Sequence, residues 1–283
     1  MTPTRQTRAS SPSDDQPATN GLAKATTVTE GCGGLEWRVA DAELAGVPVR
    51  VDITEDGPWT LLAIEAHGVW AIERASGRIE VIAPAPDASS ATLALDGPVR
   101  LHMLAERGVY VLHASAIAAS GGGLVALTAP SGVGKSTFAA CAQALGRERG
   151  ADDLLPIALA GDGRFVARPH FPQPKLSPDE QYPLYAPGER PLAAVVRLER
   201  GEVARWTPWS ARAAMELALR STVATRVYSK AALAAHLSFC RRFGEAVGEG
   251  RIACGVLTVP HRPEAIETAV REALDVLDAA LRI

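Results

Sequence analysis

The chain has 283 residues, 47% hydrophobic and 22% charged, which is enough for a sizeable core in one large domain or two modest ones. A formal net charge of −3 and a pI near 6.1 argue against a protein whose main work is to grip nucleic acid or an anionic membrane. The four cysteines, Cys32, Cys141, Cys240 and Cys254, show no CxxC pairing, no secretory h-region opens the chain, and no apolar run approaches the roughly 18 residues that span a bilayer, so reduced thiols in a cytoplasmic protein that does not enter membranes are expected.

Residues 1–34 are rich in Ser, Thr, Pro, Asp and Gln and nearly lack large apolar side chains. Such a segment cannot bury enough surface to offset its ordering entropy and is expected to be a disordered tail. Residues 35–97 have the texture of a small β-rich unit. Short extended runs at 36–39, 47–53, 59–64, 69–72 and 78–82 are separated by Glu55-Asp-Gly-Pro58, Ser76-Gly77 and Pro84-Ala-Pro86. His67 beside Gly68 reads as a surface turn histidine.

Residues 98–107 have helical spacing and a stop at Gly108. The run Val109-Tyr-Val-Leu-His-Ala-Ser-Ala-Ile-Ala-Ala119 is apolar on both faces and predicts a buried strand, carrying His113 into the larger unit that spans 98–283. After Ser120-Gly-Gly-Gly123, a second apolar strand enters Ala129-Pro-Ser-Gly-Val-Gly-Lys-Ser-Thr137.

That stretch reads as a nucleotide phosphate loop, with Gly134, Lys135 and Ser136 where the Walker A pattern places them and Ala129 in place of its first glycine. Backbone N–H groups must turn inward on crowded anionic oxygens, which Gly132 and Gly134 permit. A helix starting near Gly134 would aim its positive end at the phosphates, Lys135 would reach the β/γ oxygens and the Ser136 hydroxyl would ligate magnesium. The nucleotide-contacting set is therefore Ala129, Pro130, Ser131, Gly132, Val133, Gly134, Lys135, Ser136 and Thr137.

Farther on, Gly161-Asp-Gly163 predicts a hairpin into a strand at 164–167, and Phe171-Pro-Gln-Pro-Lys-Leu-Ser-Pro178 an extended loop. That loop, with His170, Lys175 and Asp179, could border an acceptor. Strands are expected at 192–198 and 252–259, and helices at 211–219, 231–243 and 264–281, the last started by Pro263. Arg220, Arg226, Lys230, Arg241 and Arg242 lend the later helices a basic side, read first as a solvated face.

Asp152-Asp153 follows Lys135 by seventeen positions. Phosphoryl transfer needs a carboxylate for the metal and often a group to take the acceptor's proton, so loop and pair belong together.

The histidine-bearing strand Val111-Leu-His-Ala-Ser115, the loop 129–137 and Gly150-Ala-Asp-Asp153 occur in an order that resembles the HPr kinase/phosphorylase family, closest to the peptide serine kinases that accompany lasso-peptide biosynthesis. The resemblance covers about residues 98–198. It implies an α/β fold whose core is a P-loop nucleotide-binding unit of the HPr-kinase type, with a smaller β-rich N-terminal unit. It also implies an ATP- and magnesium-dependent kinase acting on a hydroxyl, a serine of a small protein or peptide, with ribosomal precursor peptides among its acceptors. Lys135 and Ser136 would handle phosphates and magnesium, Asp152 would be the base, Asp153 would face the metal, and His113 would lie near the transferred group. A buried strand histidine bonded to backbone is the competing reading of His113. The further glutamate-containing glycine motif of the bifunctional members has no convincing copy here, which points to a kinase without phosphorylase activity. Homo-oligomers occur among those relatives. A small-molecule kinase and a nucleotide-binding regulatory ATPase use the same loop and stay open.

Overall fold

The structure is a computed structural model and describes residues 36–44, 47–130, 132–168 and 188–281. The expected tail, Cys32, the loop at 171–178 with His170, Lys175 and Asp179, and Ser131 lie outside the described residues.

The chain forms an α/β fold with a β-rich N-terminal region. Five strands, β1 (Arg38–Leu44), β2 (Val47–Asp56), β3 (Trp59–Ile64), β4 (Gly68–Glu73) and β5 (Ile79–Ala83), make an antiparallel meander in chain order. Each junction is turn chemistry, and β1 begins two residues later than its expected run and ends five later. On β2 the pleat sends Val51 and Ile53 inward, whereas β3 is buried along nearly its whole length.

A helix not expected from the sequence follows, α1 (Ala88–Ala94), started by the Asp87 carboxylate accepting from the Ser90 N–H at 2.8 Å. The chain kinks at Gly97-Pro98 and resumes as α2 (Arg100–Glu106), which stops where Gly108 takes a positive φ. The expected helix at 98–107 is present but enters two residues late, because Pro98 supplies no N–H and belongs to the kink.

The apolar run at 109–119 is two strands, β6 (Val109–His113) and β7 (Ser115–Ala118), interrupted at Ala114. Two further strands, β9 (Arg149–Ala151) and β10 (Leu154–Leu159), run back along them. His113 pairs with Leu154 and Ala116 with Ala151, and between them the Ala114 N–H donates to the Asp153 carbonyl at 3.0 Å. The ladder therefore keeps one register across the interruption.

Together with β8 (Leu124–Thr128), β11 (Phe165–Ala167), β12 (Arg190–Gly201), β13 (Arg205–Pro208) and β14 (Ala253–Pro260), these strands form a mixed sheet in the order β6-β10-β11-β12-β8-β7-β9, with β14 beside β12 and β13 beside β14. At its centre β8, β12 and β14 are parallel. Such strands are covered on both faces, and β8 is buried at every position.

Alternation along β8 divides the core. Leu124 and Ala126 join the cluster containing the N-terminal sheet, α4 (Ala211–Ser221) and α5 (Lys230–Gly248). Val125 and Leu127 join the cluster with α3 (Lys135–Ala144) and α6 (Ile266–Leu281). Each fully buried leucine of this kind contributes about 1.5–3 kcal/mol. α3 and α6 cover one face, so the turn entering α3 sits at the sheet's edge.

Among the described residues no helix is long and apolar enough to cross a membrane. Cys240 and Cys254 are free and buried, and burial pushes both thiols up to about 12, leaving them unreactive thiols of the core.

Candidate functional site

The loop between β8 and α3 is set by dihedral angles. Gly132 (φ +79) and Gly134 (φ +112) occupy the left-handed region, and a Cβ added at either would meet nothing within 4 Å. These glycines are needed for conformation, and the space around them is open to a ligand. Ala129 does not share that conformation, since Ala66 and Ala224 are the non-glycine residues with positive φ among the described residues. The missing first glycine of the Walker pattern therefore carries no steric penalty.

Helix α3 begins immediately after Gly134, so the N–H groups of its first turn emerge at the loop. Lys135 is buried, and its Nζ donates to the Ala129 carbonyl at 3.0 Å. Ser136 and Thr137, one step on, are exposed. From the end of β12, Arg200 reaches across to the loop, donating from Nε to the Val133 carbonyl at 3.3 Å and from Nη2 to the Gly132 carbonyl at 3.2 Å. The sequence did not single out Arg200, because the expected strand stopped at Leu198, two residues short of it.

Both aspartates lie in the bend between β9 and β10 and have different surroundings. The Asp152 carboxylate, 6% exposed, forms an ion pair with the Arg149 guanidinium, and Ser115 Oγ lies 3.3 Å from its Oδ1 while donating to its backbone carbonyl at 2.6 Å. Asp153 Oδ1 is 3.2 Å from His113 Nε2, with the side chains 15% and 39% exposed respectively. The residue expected to be the base is thus held in an enclosed cationic contact, and the one expected on the metal meets the histidine. His113 is half-exposed and faces a carboxylate, unlike a buried histidine satisfied by backbone.

Strand registers relate the pair to the loop. Ser115 of β7 pairs with Leu127 of β8, and continuing that ladder by one residue sets Ala114 opposite Thr128, the last residue before the loop. Since Ala114 also bonds Asp153, the row Asp153, Ala114, Thr128 crosses three strands at one level. At about 4.8 Å per strand, the acidic bend is about 10 Å from the loop's entry. Both lie at the edge where the parallel strands end, the usual location of ligands in such sheets.

On the other side of the loop, at the ends of β12 and β14, lies a cavity of about 290 Å³ bounded by the loop helix and the start of α6. The loop residues Ala129, Pro130, Gly132, Val133, Gly134, Lys135, Ser136 and Thr137, together with His113, Asp152 and Asp153, are therefore gathered at one edge. The basic residues of the later helices are not part of it. Arg220 pairs with Glu216, Arg241 with Glu245 and Arg226 with Asp41, which fits a solvated face better than an anion site. Arg149 and Ser115, which fix Asp152, were not anticipated; Arg149 lies only three residues before the carboxylate it pairs with, whereas Ser115 meets it through strand pairing, invisible before the register is known.

No family model and no curated protein matches the chain. Among solved structures, the Hpr(Ser) kinase/phosphatase from Coxiella burnetii shows a weak likeness, with 12% sequence identity, a TM-score of 0.32, and coverage of 60% of this chain and 93% of that one.

Proposed function

We propose that this chain is an ATP- and magnesium-dependent kinase that phosphorylates a hydroxyl, a serine on a small protein or peptide, with ribosomal precursor peptides among the candidate acceptors. The observation that carries the reading is the meeting, on one sheet edge, of a glycine turn opening a helix at Lys135 and a carboxylate–imidazole pair one and two strands away. An open turn flanked by helix N–H groups would bind the donor, and the carboxylate on the same edge would serve the acceptor.

In this reading Asp153 takes the role first expected of Asp152. The acceptor hydroxyl gives its proton to the Asp153 carboxylate, its oxygen bonds to the γ-phosphorus, and the γ-phosphorus–oxygen bond to ADP breaks. His113, beside Asp153, orients that carboxylate and, when protonated, offsets charge on the transferred group. Asp152 anchors the bend through Arg149 and Ser115. Lys135 neutralises the β/γ oxygens.

Magnesium is compatible with the donors present. Among the described residues no group of three or more His, Cys, Asp or Glu could hold a metal by themselves, but magnesium is commonly held by phosphates, water and one or two protein oxygens. The exposed Ser136 hydroxyl would supply one, with phosphate and water oxygens completing the set. Bound there, the ion would neutralise phosphate charge.

The test is intact-mass spectrometry of small proteins and peptides from the native host after incubation with the protein and magnesium ATP, with Lys135→Ala as control. One added phosphate on a single peptide, only with the unaltered protein, is the expected result. ATP consumed without any phosphorylated peptide would overturn the peptide-kinase reading and favour a small-molecule kinase or a regulatory ATPase.

A further inference from the structure

We infer that the cavity at the ends of β12 and β14 receives the purine base of the nucleotide, an inference that rests on the phosphate-loop reading above. The loop lies midway along the sheet edge. On one side stand His113, on the strand line next to that of the loop, and Asp153, two strands away; on the other, one and two strands away, the cavity opens. A triphosphate on the loop with its terminal phosphate toward the carboxylate must direct its nucleoside end toward the cavity.

The cavity suits a flat apolar heterocycle. Its floor is formed by Phe138, Leu198 and Val270, each no more than 3% exposed. Val259, Pro260 and Ile266 complete the walls, and a volume near 290 Å³ lies at the small end of the range for ligand sites lined in this way. The polar groups are at the rim. Arg200 links rim and loop directly, since the guanidinium that borders the cavity also holds the Gly132 and Val133 carbonyls. Arg262 is held by Glu272 at 2.7 Å, and Glu199 lies 3.2 Å from Arg197, so the acidic rim residue is already compensated. An apolar slot with Arg200 at its edge, continuous with a phosphate turn, matches a base followed by anionic phosphates and poorly matches an extended peptide.

Ile266 gives a clean test because it is the first residue of α6 and 43% exposed, so enlarging it fills the cavity without disturbing the core. Calorimetric titrations of magnesium ATP and of inorganic triphosphate with magnesium would be run on the unaltered protein, Ile266→Trp and Ile266→Ala. The expected result is ATP bound at least about tenfold more tightly than triphosphate by the unaltered protein, a difference of about 1.4 kcal/mol. Ile266→Trp should lose that preference while binding triphosphate as before, and Ile266→Ala, which removes part of the wall, should weaken ATP less than Ile266→Trp does and leave triphosphate binding unchanged. Unchanged ATP affinity in Ile266→Trp would overturn the base site and leave the phosphate loop standing. Failure of both ligands to bind the unaltered protein would overturn the loop reading and the base site together. Saturation-transfer NMR on the unaltered protein supplies a check that needs no variant: irradiating methyl groups should reach the adenine H2 and H8 protons more strongly than the ribose protons, and the reverse order would sink the assignment.

Discussion

Two adjacent aspartates with unlike neighbours should separate cleanly under the same substitution. Asp152 is enclosed with Arg149, so Asp152→Asn leaves a buried guanidinium without its counter-charge and should cost about 3 kcal/mol of stability. Combining it with Arg149→Gln should cost less than the two single changes summed, a coupling that a double-mutant cycle in urea would read. Asp153→Asn should leave the unfolding midpoint nearly unchanged and slow phosphoryl transfer about 10²–10⁴-fold, the usual contribution of a general base. Equal effects of both substitutions on transfer, with no difference in stability, would return the base role to Asp152. Lys135→Ala should reduce transfer at least about 100-fold and weaken nucleotide binding. The sequence marked Lys135, Ser136 and both aspartates, because loops and acidic pairs are local patterns, whereas His113 was singled out only by the family resemblance. It could not apportion the aspartates, since Ser115 and His113 reach them only through strand pairing.

Local patterning also explains which elements were legible. Strands bounded by Gly and Pro turns came out near their expected places, and so did the helix opening at Lys135, because each rests on periodicity or on a fixed dihedral. The break at Ala114 was not legible, as an uninterrupted apolar run contains nothing to mark it. Helix α1 was missed although Asp87 announces it, because Pro84 and Pro86 just upstream suggested a continuing loop. Strand β13 was missed because four residues with mixed burial carry no clear alternation. Helix α5 shows how much one cap can matter: Ser229 is fully buried and accepts from the Ala232 N–H at 3.0 Å. Ser229→Ala should cost about 1–2 kcal/mol by removing that acceptor from an enclosed helix start, measurable by denaturant unfolding. A cost near zero would mean that the end of α5 is solvated in practice.

The β-rich N-terminal region and the larger mixed sheet share one core, which runs from Val51, Leu62 and Trp70 through Tyr110 to Phe239 and Phe243. Their seam is also polar. Arg38 of β1 donates to the Tyr228 carbonyl at 2.7 Å, and His102 of α2, fully buried, bonds the Val227 carbonyl at 2.7 Å through Nδ1. Both belong to the turn between α4 and α5, which closes over Tyr110 and His236, whose rings are 4.8 Å apart. Burial holds His102 below the ordinary histidine value of 6.5, outweighing the Val227 bond and Glu106 beside it, and burial alone lowers His236 as well. A base whose folded pKa is depressed stays neutral in the native state while the unfolded chain takes up its proton, so the folded state binds fewer protons below pH 6.5. Stability should therefore be full above about 6.5 and fall as the pH drops toward the folded values, by up to about 1.4 kcal/mol per pH unit for each histidine. Melting curves between pH 7.5 and 5 should show this decline. The double variant His102→Gln/His236→Gln, less stable at neutral pH, should show a flatter profile over the same range. An equally steep profile in the variant would place the acid sensitivity outside this seam. With both histidines as its source, acid should loosen first the turn between α4 and α5, before the strands of the central sheet unravel.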